Sequence, residues 1–264
     1  MIELPDVERM IDNFAGYTTG KTISTVIIDD AEVVEVPKAE SHKDLEGHAI
    51  DAVERHGKYV VLRFRSGSGL VFDMGDDGEI ALESQTEPPT ERTRIRLQFA
   101  AGRELRYSSG SDGHVNIVNG DDFAGVGSLE YLGIDPLSEE LTEQVLATLA
   151  TSHPRSTLKG FLMNEKVIAG IGNEYADEIC FQSGFRPDTR VGAMAPEQLH
   201  RVHRYLKRVL RRATLHWETA HADPGWLINY RNVGEPCPRC RHGLESISVT
   251  GKKTYICPRC QRAA

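Results

Sequence analysis

The sequence predicts an α+β chain in which strands and helices are segregated along its length. Three observations carry this. From about residue 21 to residue 118, short runs rich in β-branched and aromatic residues are punctuated by Gly, Asp and Pro. After Leu132-Gly-Ile-Asp-Pro-Leu, apolar residues recur at helical spacing instead. Near the C-terminus two Cys-Pro-Arg-Cys knuckles, Cys237/Cys240 and Cys257/Cys260, stand sixteen residues apart. Strands gathered first and helices afterwards are the sequence form of an α+β architecture. The boundaries drawn from these changes are 1–130, 131–233 and 234–264.

Taken in order, Pro5 suits a first helical turn. Val7, Met10, Ile11 and Phe14 then fall at i, i+3, i+4 and i+7, which predicts a leading helix over 6–14. Strand-like runs follow at 22–28, 58–64, 69–72, 94–99 and 104–107. So many short strands point to a sandwich or a flattened barrel. Ser138 is placed to cap a helix over 139–151, with Leu141, Val145, Leu146 and Leu149 as its buried stripe. Ser156 is placed to cap a short helix through Phe161 and Leu162. Gly170 and Gly172 imply a tight turn, Asn173 opens a helix, and Gly184 stops it. Pro196 starts a long helix with Leu199, Val202, Leu206, Val209 and Leu210 on its core face. The rest of that helix is strongly basic. Residues 216–230 look irregular. In the last segment, Ile247-Ser-Val-Thr and Thr254-Tyr-Ile alternate like two hairpin strands with Gly251 near the tip.

The length suits two compact domains and a small ribbon. No stretch approaches the roughly 18 apolar residues that span a membrane. Met1-Ile2-Glu3 is neither basic nor apolar, so no targeting segment is expected and a cytoplasmic location is. The net charge of −8 conceals a split. Residues 1–150 carry 13 Lys and Arg against 29 Asp and Glu, and residues 151–264 carry 18 against 10. A basic half carrying a ribbon is a plausible face for a polyanion. A set of solvated helix faces is the plainer reading of the same charges.

The two-residue gap in each knuckle lets both thiolates turn toward one point, and two knuckles complete a tetrahedral sulfur shell. Cys237, Cys240, Cys257 and Cys260 are therefore expected to hold Zn²⁺. Two disulfides or an iron–sulfur cluster are the competing uses of these thiols. A reducing compartment disfavours the first, and a ribbon with hairpin strands disfavours the second.

With these elements in order, four motifs resemble the formamidopyrimidine-DNA glycosylase / endonuclease VIII family over nearly the whole chain. They are Glu3-Leu-Pro-Asp-Val-Glu8, Arg55-His-Gly-Lys-Tyr59, Ala169-Gly-Ile-Gly-Asn-Glu-Tyr-Ala-Asp-Glu178, and Gly234-Glu-Pro-Cys through Cys260. The resemblance implies an N-terminal β-sandwich, a helix-two-turn-helix domain and a β-hairpin zinc ribbon. It also implies a monomer, associated with the nucleoid through damaged double-stranded DNA. Glu3 matches the catalytic glutamate, and Lys58 a cleft lysine that holds DNA phosphate near the lesion. Asn173 matches a phosphate-contacting asparagine, in a turn whose backbone N–H groups face phosphate. Met74 matches a methionine that fills the gap left by a flipped base.

The sequence departs from the family at several of these positions. Ile2 stands where the family has the proline whose nitrogen attacks the sugar C1′. The family's Asp-x-Arg-Arg-Phe-Gly loop aligns with Ser109-Gly-Ser-Asp-Gly113, so its Arg and Phe are missing. Arg92 aligns with a phosphate-contacting histidine. Lys252 replaces the hairpin arginine, keeping the charge but losing the two-pronged guanidinium. The lesion-covering loop before Tyr230 is short. Two functions follow. The first is a DNA glycosylase with weak or absent AP-lyase activity, for which retention of Glu3 and Lys58 argues. The second is a non-catalytic damaged-DNA binder, for which the loss of proline, arginine and phenylalanine argues. A bifunctional glycosylase and lyase working through the N-terminal amine is a further alternative.

Overall fold

The structure is a computed structural model that describes residues 1–35, 43–110, 112–118, 126–216 and 223–263, excluding the side chains of 34, 35, 127 and 128. Ser111, within the loop aligned above, and residues 217–222, within the irregular stretch and its short covering loop, lie outside the described residues. The chain divides into two compact units. One holds Met1–Ile2 and Asp6–Tyr131, the other Glu3–Pro5 and Leu132–Ala264.

The leading helix α1 runs Leu4–Thr18, longer at both ends than its apolar spacing implies. Val7 and Phe14 are fully buried, with Met10 and Ile11 nearly so. Among the described residues the expected sandwich forms from nine strands in two sheets. They are β1 (Ile23–Ile28), β2 (Val34–Glu35), β3 (Ile50–His56), β4 (Tyr59–Phe64), β5 (Gly69–Asp73), β6 (Glu79–Ser84), β7 (Thr93–Phe99), β8 (Arg103–Ser108) and β9 (His114–Val118). One sheet has the order β1-β7-β8-β6, the other β2-β9-β5-β4-β3. All pairings are antiparallel except β2 with β9. Residues from both sheets and from α1 share one core, including Ile23, Leu62, Phe72, Leu97, Tyr107 and Ile117.

Four strands lack a legible sequence signal. Three of them, β2, β3 and β6, are edge strands. In β3 only Ile50 is buried, and in β6 only Ile80. An edge facing water needs no apolar alternation, so period-two reasoning passes over it. The fourth, β9, is interior but sits among Gly, Asp and Asn residues.

In the C-terminal unit, helix α2 runs Glu143–Ser152 and its N-cap is Thr142, which accepts from the Val145 N–H. Ser138 does not cap it. Its hydroxyl donates to the Asp135 carbonyl at 2.8 Å, closing a turn before the helix. Likewise α3 (Leu158–Leu162) is capped by Thr157 and not by Ser156. Helix α4 (Asn173–Ser183) closes at Gly184, and α5 spans Pro196–Leu215, both as the sequence predicts. Leu146, Phe161, Ile179, Leu206 and Leu210 lie in their common core. The ribbon hairpin pairs β10 (Glu245–Val249) with β11 (Lys252–Ile256). Thr250 and Gly251 both take positive φ, which suits the right-handed twist of a two-residue hairpin. Among the described residues no helix is long and apolar enough to cross a membrane.

Candidate metal centre and nucleic-acid interface

Each knuckle is folded by its own backbone. The Cys237 carbonyl accepts from the Arg241 N–H at 2.9 Å, and the Cys257 carbonyl from the Gln261 N–H at 3.0 Å. The four sulfurs lie within 4.8 Å of one another. Cys237 to Cys260 is 3.8 Å and Cys240 to Cys257 is 3.5 Å. A tetrahedral Zn²⁺ with bonds of about 2.3 Å spaces its sulfurs by about 3.8 Å. A disulfide needs about 2.05 Å. The four thiols are free, and they fit one zinc ion. With so small a core of its own, the ribbon depends on that ion for its shape.

The Gly-rich turn is built around Glu3. Helix α4 has no side-chain cap from its own Gly172. Glu3, 169 positions earlier, supplies it. Oε2 accepts from the N–H groups of Gly172 at 2.8 Å and Tyr175 at 3.1 Å, and Oε1 from Glu174 at 2.7 Å. The Glu3 side chain is buried, and the Leu4 N–H is tied to the Gly170 carbonyl at 2.9 Å. Glycine at 172 leaves room for this carboxylate, because a Cβ there would lie 2.5 Å from the Glu3 carboxyl carbon and push it aside. The expectation that these amides all face phosphate needs correcting. The chain's own carboxylate occupies three of them, since a helix N-terminus binds an internal anion as readily as an external one. Asn173, the first residue of α4, keeps a buried Oδ1 with no hydrogen-bond partner among the described residues.

Sequence reasoning missed the network behind this turn. Fully buried Lys159 donates to Asp177 Oδ1 at 2.5 Å and to Thr254 Oγ1 at 2.6 Å. Asp177 Oδ2 also accepts from Arg231 at 2.9 Å and from the Tyr255 N–H at 3.1 Å. Arg231 reaches on to the Asn173 carbonyl at 3.4 Å. One carboxylate on α4 thus joins α3, the first turn of α4 and strand β11 of the ribbon. Burial pushes Lys159 down and Asp177 up, while each opposes that push in the other by pairing. Next along α4, burial pushes the Glu178 carboxyl up to about 7. Its oxygens accept from Gln182 at 2.6 Å and from the Ile228 N–H at 2.9 Å. The available signal was Asp177-Glu178 on an otherwise buried helix, since buried acids require partners.

The remaining candidates are spread over both units. Gly57 and Lys58 form the two-residue turn between β3 and β4, with His56 paired to Tyr59. Arg55, in the same motif, is bound to Glu8 at 2.6 Å. Arg92 is half-exposed and pairs with Asp77 at 2.7 Å. Lys252 is exposed at the start of β11, beside the hairpin tip. Met74 is 0% exposed and sits in the sandwich core. Its apolar side chain is satisfied there, so the structure does not display it for stacking into a duplex. Ile2 packs against the same core, and Met1 is exposed.

Three family models match in succession. Residues 1–110 match the formamidopyrimidine-DNA glycosylase N-terminal domain, 132–221 its H2TH domain, and 234–263 the zinc finger found in FPG and IleRS. The formamidopyrimidine-DNA glycosylase of Symbiobacterium thermophilum is 31% identical, covering 99% of this chain and 89% of that one. That of Teredinibacter turnerae is 30% identical, covering 99% and 100%. The crystal structure of the MutM (Fpg) protein from Thermus thermophilus shares 27% identity and a TM-score of 0.83 over 99% of each chain. The Lactococcus lactis Fpg, crystallised with DNA containing N7-benzyl-Fapy-dG, has the same fold, with 23% identity and a TM-score of 0.86 over 98% of this chain and 99% of that one. On these matches, which run in order over nearly its whole length, the chain belongs to the formamidopyrimidine-DNA glycosylase family.

Proposed function

We propose that this protein is a DNA repair glycosylase that binds damaged double-stranded DNA as a monomer, in the cytoplasm and on the nucleoid, and cleaves the N-glycosidic bond of a damaged base. The observation that carries the reading is the family's three domains in order, with Glu3 retained and held at the N-terminus of α4. In the reaction the bond between C1′ and the base nitrogen breaks, and the base leaves with the electron pair. A water oxygen then bonds to C1′, and its proton passes to solvent or to the departing base. Glu3 opposes the positive charge that grows on the sugar. Its carboxylate is already fixed by three N–H groups, so it needs little reorganisation as that charge develops. Lys58, Arg92, Asn173 and Lys252 hold backbone phosphates.

A strand-nicking lyase step needs an amine that forms an imine at C1′. With Met1 in place, the Ile2 nitrogen is an amide and cannot do this, which supports weak or absent lyase activity. The altered Ser109–Gly113 loop and the absence of the proline favour a second reading, a binder without chemistry. Intact mass measured beside excision on a lesion panel, with and without borohydride, separates the readings. Base release with little borohydride-trapped complex is expected. Efficient trapping mapped to residue 1 or 2 refutes the water route, and binding without base release establishes the second reading.

A further inference from the structure

Helix α5 carries a basic face that the Gly-rich turn and the ribbon do not use. Arg201, Arg204, Arg208 and Arg211 are all exposed. At 100° per residue they fall within one side of the helix, opposite Val202, Leu206, Val209 and Leu210 in the core. Three nearby carboxylates already have basic partners. Glu139 pairs with Arg211, Glu143 with His200, and Asp223 with Arg212. Among the described residues no carboxylate lies within salt-bridge distance of Arg201, Arg204 or Arg208. Tyr205 sits between two of these cations, with the Arg201 guanidinium 5.8 Å and the Arg204 guanidinium 5.6 Å from its ring centre. Stacking of this kind holds a guanidinium in place before any anion arrives, which lowers the ordering cost of a phosphate contact.

The face also stands apart from the Gly-rich turn. The Arg201 guanidinium lies 3.4 Å from where a Cβ on Gly184 would be, at the C-terminal end of α4. The turn is at the other end of that helix, about 18 Å away at 1.5 Å per residue. Three arginines with no acid partner among the described residues, over about 10 Å of helix, match about three successive phosphates of one DNA strand.

Resting on the DNA-binding reading above, we infer that the Arg201–Arg204–Arg208 face of α5 is a second contact for the DNA backbone, used on undamaged duplex beyond the segment held at the Gly-rich turn. A solvated helix face is the rival. The test uses the full zinc-loaded chain and compares wild type with the triple variant Arg201→Gln/Arg204→Gln/Arg208→Gln. The probes are a long undamaged duplex and a short abasic-site duplex of about one and a half helical turns. On the long duplex, the slope of log affinity against log salt is expected to fall by about 2–3 in the variant, at about 0.9 per phosphate. Binding to the short duplex and base release at saturation are expected to stay within twofold. The matching triple Arg→Lys variant, which keeps the charge, is expected to retain the wild-type slope. If the triple Gln variant melts early or loses zinc, single Arg204→Gln and Arg208→Gln carry the test, each lowering the slope by about 1. An unchanged slope refutes the inference, and so does equal loss on both duplexes with folding intact. Stronger loss on single-stranded RNA than on duplex DNA refutes it too. Failure of the wild type to bind any DNA overturns the DNA-binding reading itself.

Discussion

Glu3→Gln is the most informative single change, because Glu3 has a structural duty that is separable from chemistry. The glutamine oxygen can keep the Gly172 and Tyr175 N–H groups, but its NH₂ then faces the Glu174 N–H, donor against donor. One charge-assisted hydrogen bond is lost, with the interaction between carboxylate and helix dipole. Together these cost about 2 kcal/mol. Glu3→Ala strands all three donors and costs about 3 kcal/mol. For a chain of this length, 2 kcal/mol lowers Tm by about 4–8 °C. The assay pairs thermal melting with single-turnover base release at a temperature where both proteins are folded. Glu3→Gln is expected to melt early and to lose base release by more than the unfolded fraction explains. Gly172→Ala is the partner experiment. It leaves the carboxylate in place chemically but forces it off the amides, since the new Cβ meets it at 2.5 Å. Base release is expected to fall there as well. A Glu3→Gln protein that melts within a degree of wild type would refute the capping argument. A Gly172→Ala protein with full base release would refute the need for a fixed carboxylate.

Cys257→Ser is expected to lose zinc by elemental analysis, to loosen residues 234–263, and to weaken DNA binding; full zinc retention would contradict the four-thiolate site. Lys252→Ala is expected to lower the salt slope of DNA binding by about 1 with zinc unchanged, as for one lost phosphate contact; an unchanged slope would remove Lys252 from the interface. Glu178 makes stability depend on pH. Its folded carboxyl titrates at about 7 against an ordinary 4.5, so the folded state holds the extra proton. That contribution is fully present below about 4.5 and is lost as pH rises through 7, about 3 kcal/mol in all. Melting followed from pH 4.5 to 8 should show wild type losing ground to Glu178→Gln over that window, and parallel curves would exclude the shift.

How much of this was legible in sequence depended on how local the controlling interaction is. The knuckles read clearly because two intervening residues suffice to bring each pair of thiols together, and α4 and α5 read well because Gly184 and Pro196 act on their own neighbours. Helix starts slipped by one to four residues wherever two hydroxyls competed. Ser138 and Thr142 are both good caps, and only the Asp135 turn decides between them. Edge strands β3 and β6 were invisible because each fully buries a single residue, Ile50 or Ile80, which leaves little apolar alternation to read. Met74 fits a wedge or a core equally well in sequence, and packing put it in the core.

By itself the sequence determined the α+β order, the zinc ligand set, the Gly-rich turn and the family, since each rests on short spacings or on motifs in succession. Tertiary structure alone decided which anion that turn holds, what Asp177 joins, and which arginines of α5 have no acid partner among the described residues. Glu3 and Gly172 stand 169 positions apart, and Lys159 and Thr254 stand 95 apart. A hydrogen bond needs its atoms within about 3 Å, and only the folded chain brings such distant residues that close.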